Sequence, residues 1–192
     1  MTLTVGNGSG TTGGTVELPV TLATAGTAAA SGFQTDLGFD AAKLSYVSAR
    51  VGEKSVAAAK GLSSSVLANG QIRLLVSGVN QNAIATGTVA YVSFKLTSGF
   101  TSGMSAITAA NCASTDITGN PLTTLCTGGS VKYANCDINA DGSANVSDVQ
   151  LIINEALGAL ASTHDLNSDG LVNVADVQIV VNAVLGLGCN VR

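Results

Sequence analysis

Two stretches of this chain, residues 137–158 and 165–186, repeat one another at an offset of 28 positions, and twelve of the 22 aligned residues are identical. An internal repeat of this kind folds as two copies of one supersecondary unit, which bury their apolar faces against each other. The C-terminal part of the chain is therefore predicted to be a repeated module. A length of 192 residues leaves room for a second domain before it.

Each repeat opens with the pattern Asp-x-Asn-x-Asp-Gly-x-x-Asn-x-x-Asp, and six of the twelve acidic residues of the chain lie in these two windows. Carboxylates crowded in this way repel one another unless a cation neutralises them. A 12-residue loop binds calcium through oxygens at positions 1, 3, 5, 7, 9 and 12, with Gly at position 6 for a sharp turn. A single motif also builds ordinary turns, but two loops in register favour two calcium ions. The predicted ligands are Asp137, Asn139, Asp141, the Ser143 carbonyl, Asn145 and Asp148, then Asp165, Asn167, Asp169, the Leu171 carbonyl, Asn173 and Asp176.

Each loop continues into a segment with helical periodicity that stops at a glycine, Gly158 or Gly186. No helical segment precedes either loop, and position 12 holds Asp where an EF-hand loop has Glu. The pattern therefore predicts two half EF-hands. The apolar positions expected to face a shared core are Val149, Ile152, Ile153, Ala156 and Leu157, and Val177, Val180, Val181, Val184 and Leu185.

Residues 1–133 have a different pattern, which is typical of an all-β domain. Short runs rich in β-branched and aromatic residues alternate with glycine-containing turns, as expected of a sandwich of about nine strands in two sheets. The stretch from Ser55 to Ala68 is compatible with a helical turn. The predicted strands include Thr15–Ala23, Phe33–Phe39, Leu44–Val51, Gln71–Ser77 and Thr86–Thr97. The predicted domains are residues 1–133 and 134–192.

The charge distribution argues against several classes of partner. The formal net charge is −4, and the eight basic residues are scattered singly, so no basic patch indicates nucleic acid or an anionic membrane surface. No apolar run is long enough to span a membrane.

Four cysteines, Cys112, Cys126, Cys136 and Cys189, lack the spacing of a zinc site. Their even number fits disulfides in an exported protein, and we expect an extracellular location. By position, Cys112 would pair with Cys126 across a loop, and Cys136 with Cys189 around the calcium-binding segment. Four buried thiols in a reducing cytoplasm are the alternative.

Duplicated half EF-hands with Asp at position 12 resemble the dockerin module of cellulosome-type assemblies, over Asp137 to Leu187. The β domain in turn resembles a cohesin, the receptor of dockerins, which is a nine-stranded jelly-roll sandwich. This second resemblance rests on GGTVELPVTL (13–22), GFQTDLGFDAAKLSYVSARVG (32–52) and IRLLVSGVNQNAIATGTVAYVSFKL (72–96). The fold class implied is mainly β, with a small all-α module at the C-terminus.

The dockerin resemblance also implies a partner-binding surface, because specificity in that family is carried at loop positions 10 and 11 and at helix positions 17, 18 and 22. The Ser/Thr pair and the basic pair often seen there are absent, which implies an apolar surface. For Ile153 and Val181, a position in the core of the module is an equally good interpretation. The corresponding residues are Val146, Ser147, Ile153, Asn154 and Gly158, and Val174, Ala175, Val181, Asn182 and Gly186.

The function predicted from these patterns is calcium-dependent protein–protein interaction in a scaffold, with no catalysis. A dockerin would dock on a sheet face of a cohesin, and the short link from Tyr133 to Asp137 favours another copy of the chain, in a ring or a filament.

Two other function classes are weaker. A carbohydrate-binding sandwich with a calcium-stabilised module would need exposed aromatics such as Tyr46, Tyr91 or Phe100, and the chain has no Trp. An enzyme would need partners for the lone His164 or a carboxylate pair among Glu17, Asp36, Asp40 and Glu53, and scattered acids are more often solvated surface.

Overall fold

The computed structural model describes residues 1–24, 29–167 and 169–189 of the chain. These residues contain twelve strands and three helices. The strands are β1 Thr2–Val5, β2 Asn7–Gly10, β3 Thr15–Ala23, β4 Ala30–Gly38, β5 Leu44–Val51, β6 Gly61–Val66, β7 Ile72–Ser77, β8 Gly87–Leu96, β9 Met104–Asp116, β10 Pro121–Leu122, β11 Leu125–Thr127 and β12 Gly129–Tyr133. The helices are α1 Glu53–Ala57, α2 Val146–Ala156 and α3 Val174–Val184.

The strands form two sheets that enclose one apolar core. A five-stranded sheet has the order β11-β1-β3-β8-β5, and a seven-stranded sheet has the order β2-β12-β9-β4-β7-β6, with β10 paired to β9. Strand β3 shows how the sequence produces this arrangement, because its residues Val16, Leu18, Val20 and Leu22 alternate inward and are buried. The residues between these buried positions point to the outer face of the sheet, where they can contact other molecules.

The strand count over the described residues is three higher than the nine predicted from sequence. One extra strand arises because the first extended segment changes sheets at Gly6: β1 pairs with β3, whereas β2 pairs with β12. A Cβ atom at Gly6 would lie 2.8 Å from Pro19 Cγ, so glycine permits this close approach. The short strands β10 and β11 also lack a clear alternating pattern in the sequence.

The Ser55 to Ala68 stretch contains both a helical turn and a strand. Helix α1 ends at Ala57, and β6 follows at the edge of the seven-stranded sheet. The serine-rich composition of β6 hid this strand, because almost all of its residues are exposed.

Residues 134–189, called here the loop–helix module, have a separate small core. Its buried residues include Ile152 of α2 and Ile179 and Val180 of α3. Gly158 and Gly186 follow the two helices with φ of +71° and +78°, the left-handed conformation that ends a helix at glycine. The expectation that Leu157 and Leu185 belong to the core is wrong, since their exposures are 77% and 69%.

The junction between the β-sandwich and the loop–helix module is a single residue long. The N–H of Ala134 donates to the Gly10 carbonyl of the sandwich at 2.7 Å, yet Ala134 is buried in the core of the loop–helix module. Lys132 Nζ of β12 donates to the Asp165 carbonyl at 2.7 Å. The module is therefore held against the end of the sandwich by contacts on both sides of the junction.

Candidate calcium loops and docking surfaces

The first acidic loop brings together the residues at positions 3, 5, 7 and 9. The side-chain amides of Asn139 and Asn145 lie 2.8 and 3.3 Å from Asp141 Oδ2, and Asn145 Nδ2 lies 3.0 Å from the Ser143 carbonyl. These hydrogen bonds, from Asn139 first and then from the Ser143 N–H, lower the pKa of Asp141. The four candidate ligands thus face one small volume.

Position 1 of the first loop closes the turn from the other side. Asp137 accepts hydrogen bonds from the N–H groups of Asp141 and Gly142 at 3.0 and 2.8 Å. Gly142 has φ of +100°, which explains the need for glycine at position 6. The second loop has the same arrangement, with Asp165 bonded to Asp169 and Gly170, and Asp169 bonded to Asn167 and Asn173.

The carboxylate at position 12 is oriented by the backbone. Asp148 is fully buried, and it accepts hydrogen bonds from the N–H groups of Ile138, Asn139 and Asn145 at 2.7, 3.0 and 2.7 Å. The last of these is half of a capping box that starts α2. Asp176 makes the same three bonds before α3. The Asp at position 12 therefore closes the loop and caps the helix at once.

The donor set of each loop fits calcium in its chemistry, because all six candidate ligands contain oxygen, the donor that this hard cation prefers. In the first loop, Asn139 and Asn145 direct Nδ2 toward Asp141, so both amides would have to turn to offer their oxygens. Among the described residues, no three Asp, Glu, His or Cys side chains gather closely enough to hold an ion by themselves. Positions 3 and 9 of each loop hold Asn and not a carboxylate. Amide and carbonyl oxygens would have to complete each site.

Glu155 links the first helix to the second loop. This nearly buried carboxylate accepts hydrogen bonds from the N–H groups of Thr163 and His164 at 2.9 and 3.0 Å and lies 2.6 Å from His164 Nδ1. Burial alone would raise the pKa of Glu155, but these hydrogen bonds hold it below its ordinary value. His164 thus shapes the turn before Asp165.

The outer surface of each helix carries a line of uncharged residues, called here the helix stripe. On α2 the helix stripe consists of the exposed residues Val146, Gln150, Ile153 and Leu157, at helical spacing. On α3 it consists of Val174, Gln178, Val181 and Leu185. Of the residues that the sequence assigned to partner binding, Val146, Ser147, Ile153, Val174 and Ala175 are exposed, whereas Asn154, Val181 and Asn182 are half-buried.

A second surface, with an uncharged groove, lies on the seven-stranded sheet. The outer face of β9, β4, β7 and β6, called here the groove face, has small side chains around a shallow groove of about 170 Å³. Gln34, Leu75 and Ala113 lie side by side across three strands at this groove. The sequence alone does not reveal the groove face, because strands distant in sequence build it.

One ion pair lies beside the groove. Arg73 Nε and Nη2 donate to the two carboxylate oxygens of Asp36, each at 2.7 Å, and Asn111 Nδ2 donates to Asp36 Oδ2 at 2.9 Å. These bonds, with Arg73 first, lower the pKa of Asp36 although burial opposes the shift. Asp36 is 1% exposed, so the expectation of a solvated surface acid is wrong for this residue. Its partners come from β7 and β9, which sequence order does not reveal.

Residues 1–133 match the family model described as the cohesin domain. This match spans more than half of the sequence. The chain belongs to the cohesin family. Cohesin domains are non-catalytic protein–protein interaction modules, and the fold described above is the mainly β sandwich expected for this family.

Solved structures with the same fold support the assignment of the cohesin domain. A type I cohesin–dockerin complex from Clostridium thermocellum contains a chain with 17% identity and a TM-score of 0.61, over 69% of this chain and 92% of that one. The sixth cohesin of scaffoldin B from Acetivibrio cellulolyticus, in complex with a dockerin, has 20% identity and a TM-score of 0.62, over 69% and 97%. A non-cellulosomal cohesin from the archaeon Archaeoglobus fulgidus has 17% identity and a TM-score of 0.59, over 72% and 94%. A comparison with curated proteins returned no significant match.

The aromatic residues of the cohesin domain do not form a sugar-binding platform. Phe100 is buried, and Tyr46 is half-buried against Phe94. The guanidinium carbon of Arg50 lies 3.6 Å from the centre of the Tyr91 ring and covers it. These three positions therefore provide no exposed planar row.

The four cysteines are joined in two disulfides. Cys112 bonds to Cys126 within the cohesin domain, and Cys136 bonds to Cys189 across the ends of the loop–helix module. Over the part of the chain that the structure describes, we find no helix long and apolar enough to cross a membrane.

Proposed function

We propose that this protein is a self-recognising scaffold, in which the loop–helix module acts as a calcium-dependent dockerin and binds the cohesin domain of another copy. The observation that carries this proposal is the presence in one chain of the uncharged helix stripe and of the groove face with its uncharged groove. Surfaces of this kind gain free energy when they are removed from water together. The two disulfides support a role outside the cell.

Calcium would act by neutralising the three carboxylates of each loop. Asp137, Asp141 and Asp148 would hold the first ion with Asn139, Asn145 and the Ser143 carbonyl, and the matching residues of the second loop would hold the second. Because each loop leads directly into a helix that carries part of the helix stripe, ordering the loops would also position the docking surface.

The groove lies far from the point at which the module is attached. Lys132, near the end of β12, pairs with Met104 at the start of β9, whereas the groove lies at Ala113 and Thr115. A separation of about nine residues along a strand corresponds to about 30 Å. A junction of one residue does not span this distance, so docking between chains, head to tail, is favoured over docking within one chain.

Two full-length variants with complementary defects test this proposal. A receptor variant, L157D/L185D, places charges on both helix stripes and leaves the groove face intact. A plug variant, L75E/A113E, places charges at the groove and leaves the helix stripes intact. All four positions are exposed, so both variants should fold.

Sedimentation velocity should show that the unmodified protein associates with calcium and is monomeric in chelator. Each variant alone should be monomeric with calcium, and a mixture of the two should form a one-to-one complex that chelator dissociates. An unmodified protein that stays monomeric with calcium would contradict self-recognition. A mixture of variants that fails to associate while the unmodified protein does would show that these surfaces are the wrong ones.

A further inference from the structure

The ion pair on the groove face leaves no carboxylate free for a partner. On strands β4, β6, β7 and β9 the charged residues are Asp36, Arg73 and Asp116. Asp116 ends β9 and accepts hydrogen bonds from Thr118 and Asn120 in its own turn. Asp36 is engaged by Arg73 and Asn111. The charge of Asp36, beside the groove, is therefore neutralised by one residue, Arg73.

The loop–helix module brings no cation to this face. Between Ala134 and Val191 the sequence contains no Lys and no Arg, and its seven acidic residues are Glu155 and the six loop aspartates. Glu155 is bonded within the module, and the aspartates lie outside the helix stripes. Without Arg73, the Asp36 carboxylate would lose water on docking and gain no charged partner, which is unfavourable.

The ion pair lies close enough to the groove to be covered by the same helix. Gln34 pairs with Leu75, and Asp36 pairs with Arg73, two residues further along both strands. The two rows are therefore about 7 Å apart. An 11-residue helix such as α2 is about 16 Å long and extends over both rows.

We propose that Arg73 is a specificity-determining residue of this cohesin domain. By neutralising Asp36, it selects a docking module whose helix stripes carry no basic side chain, such as that of a second copy, and disfavours modules that present Lys or Arg on these stripes. This inference rests on the proposed docking of the helix stripe on the groove face.

The test uses the receptor and plug variants with further substitutions. The receptor variant receives Arg73→Gln, or Arg73→Gln together with Asp36→Asn, which restores neutrality without the ion pair. The plug variant receives Gln150→Lys and Gln178→Lys at the exposed centres of the helix stripes. Binding of each receptor to each plug is measured with calcium by isothermal titration calorimetry.

The unmodified plug should bind the Arg73→Gln receptor about 10- to 100-fold more weakly than the parent receptor, as for a desolvated unpaired charge. The Asp36→Asn/Arg73→Gln receptor should regain most of this affinity. The lysine-bearing plug should show the reverse preference, with weak binding to the parent receptor and tighter binding to the Arg73→Gln receptor.

The inference is overturned if both plugs bind the parent receptor equally well, a comparison that requires no substitution at Arg73. It is also overturned if the Arg73→Gln receptor, folded by circular dichroism, keeps the preference of the parent. If the parent receptor and the unmodified plug do not bind at all, the proposed function itself fails. The two failures are therefore distinguishable.

Discussion

The burial and hydrogen bonds of a carboxylate in this protein depend on the residues around it in the fold, and not on the residues next to it in the sequence. Asp36 stands in an ordinary strand but is buried by partners from two other strands. Asp148 stands in a ligand position but is fully engaged by backbone N–H groups. The type of residue at each position is readable from the sequence, whereas its partners depend on which strands lie side by side.

The stability contributed by Asp36 should depend on pH. Since Arg73 holds the pKa of the folded-state carboxyl below its ordinary value, the contribution is present above that ordinary value and is lost as pH falls through the folded pKa. At neutral pH, Asp36→Asn should cost about 1–3 kcal/mol. The difference in unfolding free energy between Asp36→Asn and the parent protein should become smaller below about pH 4.

Thermal unfolding between neutral and acidic pH measures this difference. Glu17→Gln is a matched control, because the Arg50–Glu17 pair is 53% and 39% exposed and should contribute at most about 1 kcal/mol. A difference between Asp36→Asn and the parent that stays constant with pH would contradict the assignment.

At the scale of elements, periodicity predicts the two helices and their glycine ends but not which apolar residues face the core. Ile152 is buried, whereas Leu157, which belongs to the same apolar pattern, is exposed. A helix packed against one small neighbour buries a narrow strip, and a module of this size has few residues to cover the rest. Each helix therefore carries more apolar surface than the small core of the module buries.

Two alanine variants distinguish core residues from surface residues. Ile152→Ala should destabilise the loop–helix module by about 2–5 kcal/mol, because it creates a cavity. Leu157→Ala together with Leu185→Ala should change stability by under about 0.5 kcal/mol, yet weaken calcium-dependent association. Thermal melts measure the change in stability, and sedimentation velocity measures the change in association. A large stability loss in the leucine variant would place these side chains in the core.

At the scale of the whole molecule, two features connect distant parts of the chain. The short junction at Ala134 joins the two cores, and the disulfide Cys136–Cys189 joins residues 53 apart. In the chain-entropy description, a disulfide that closes a loop of this length stabilises the folded state by about 4 kcal/mol. The bond should therefore stabilise the folded loop–helix module, in addition to any stabilisation by the proposed calcium ions.

Removal of that bond should make the loop–helix module depend more strongly on calcium. In C136S/C189S, circular dichroism should show lost helical signal in chelator and its recovery with calcium, with a larger calcium-induced rise in Tm than in the parent. The control C112S/C126S removes a bond across 14 residues in the cohesin domain and should leave the calcium-induced shift unchanged. Equal shifts in all three proteins would contradict this expectation.

The sequence by itself determined the two acidic loops and the helices that follow them, because each loop is specified within twelve consecutive residues. Local spacing also placed the ends of the helices at Gly158 and Gly186. Only the tertiary structure decided the groove face, the Asp36–Arg73–Asn111 network and the exposure of Leu157 and Leu185. These features join residues far apart in the sequence, such as Asp36 and Asn111, which are 75 positions apart. Strand order and packing, which no local pattern encodes, bring them together.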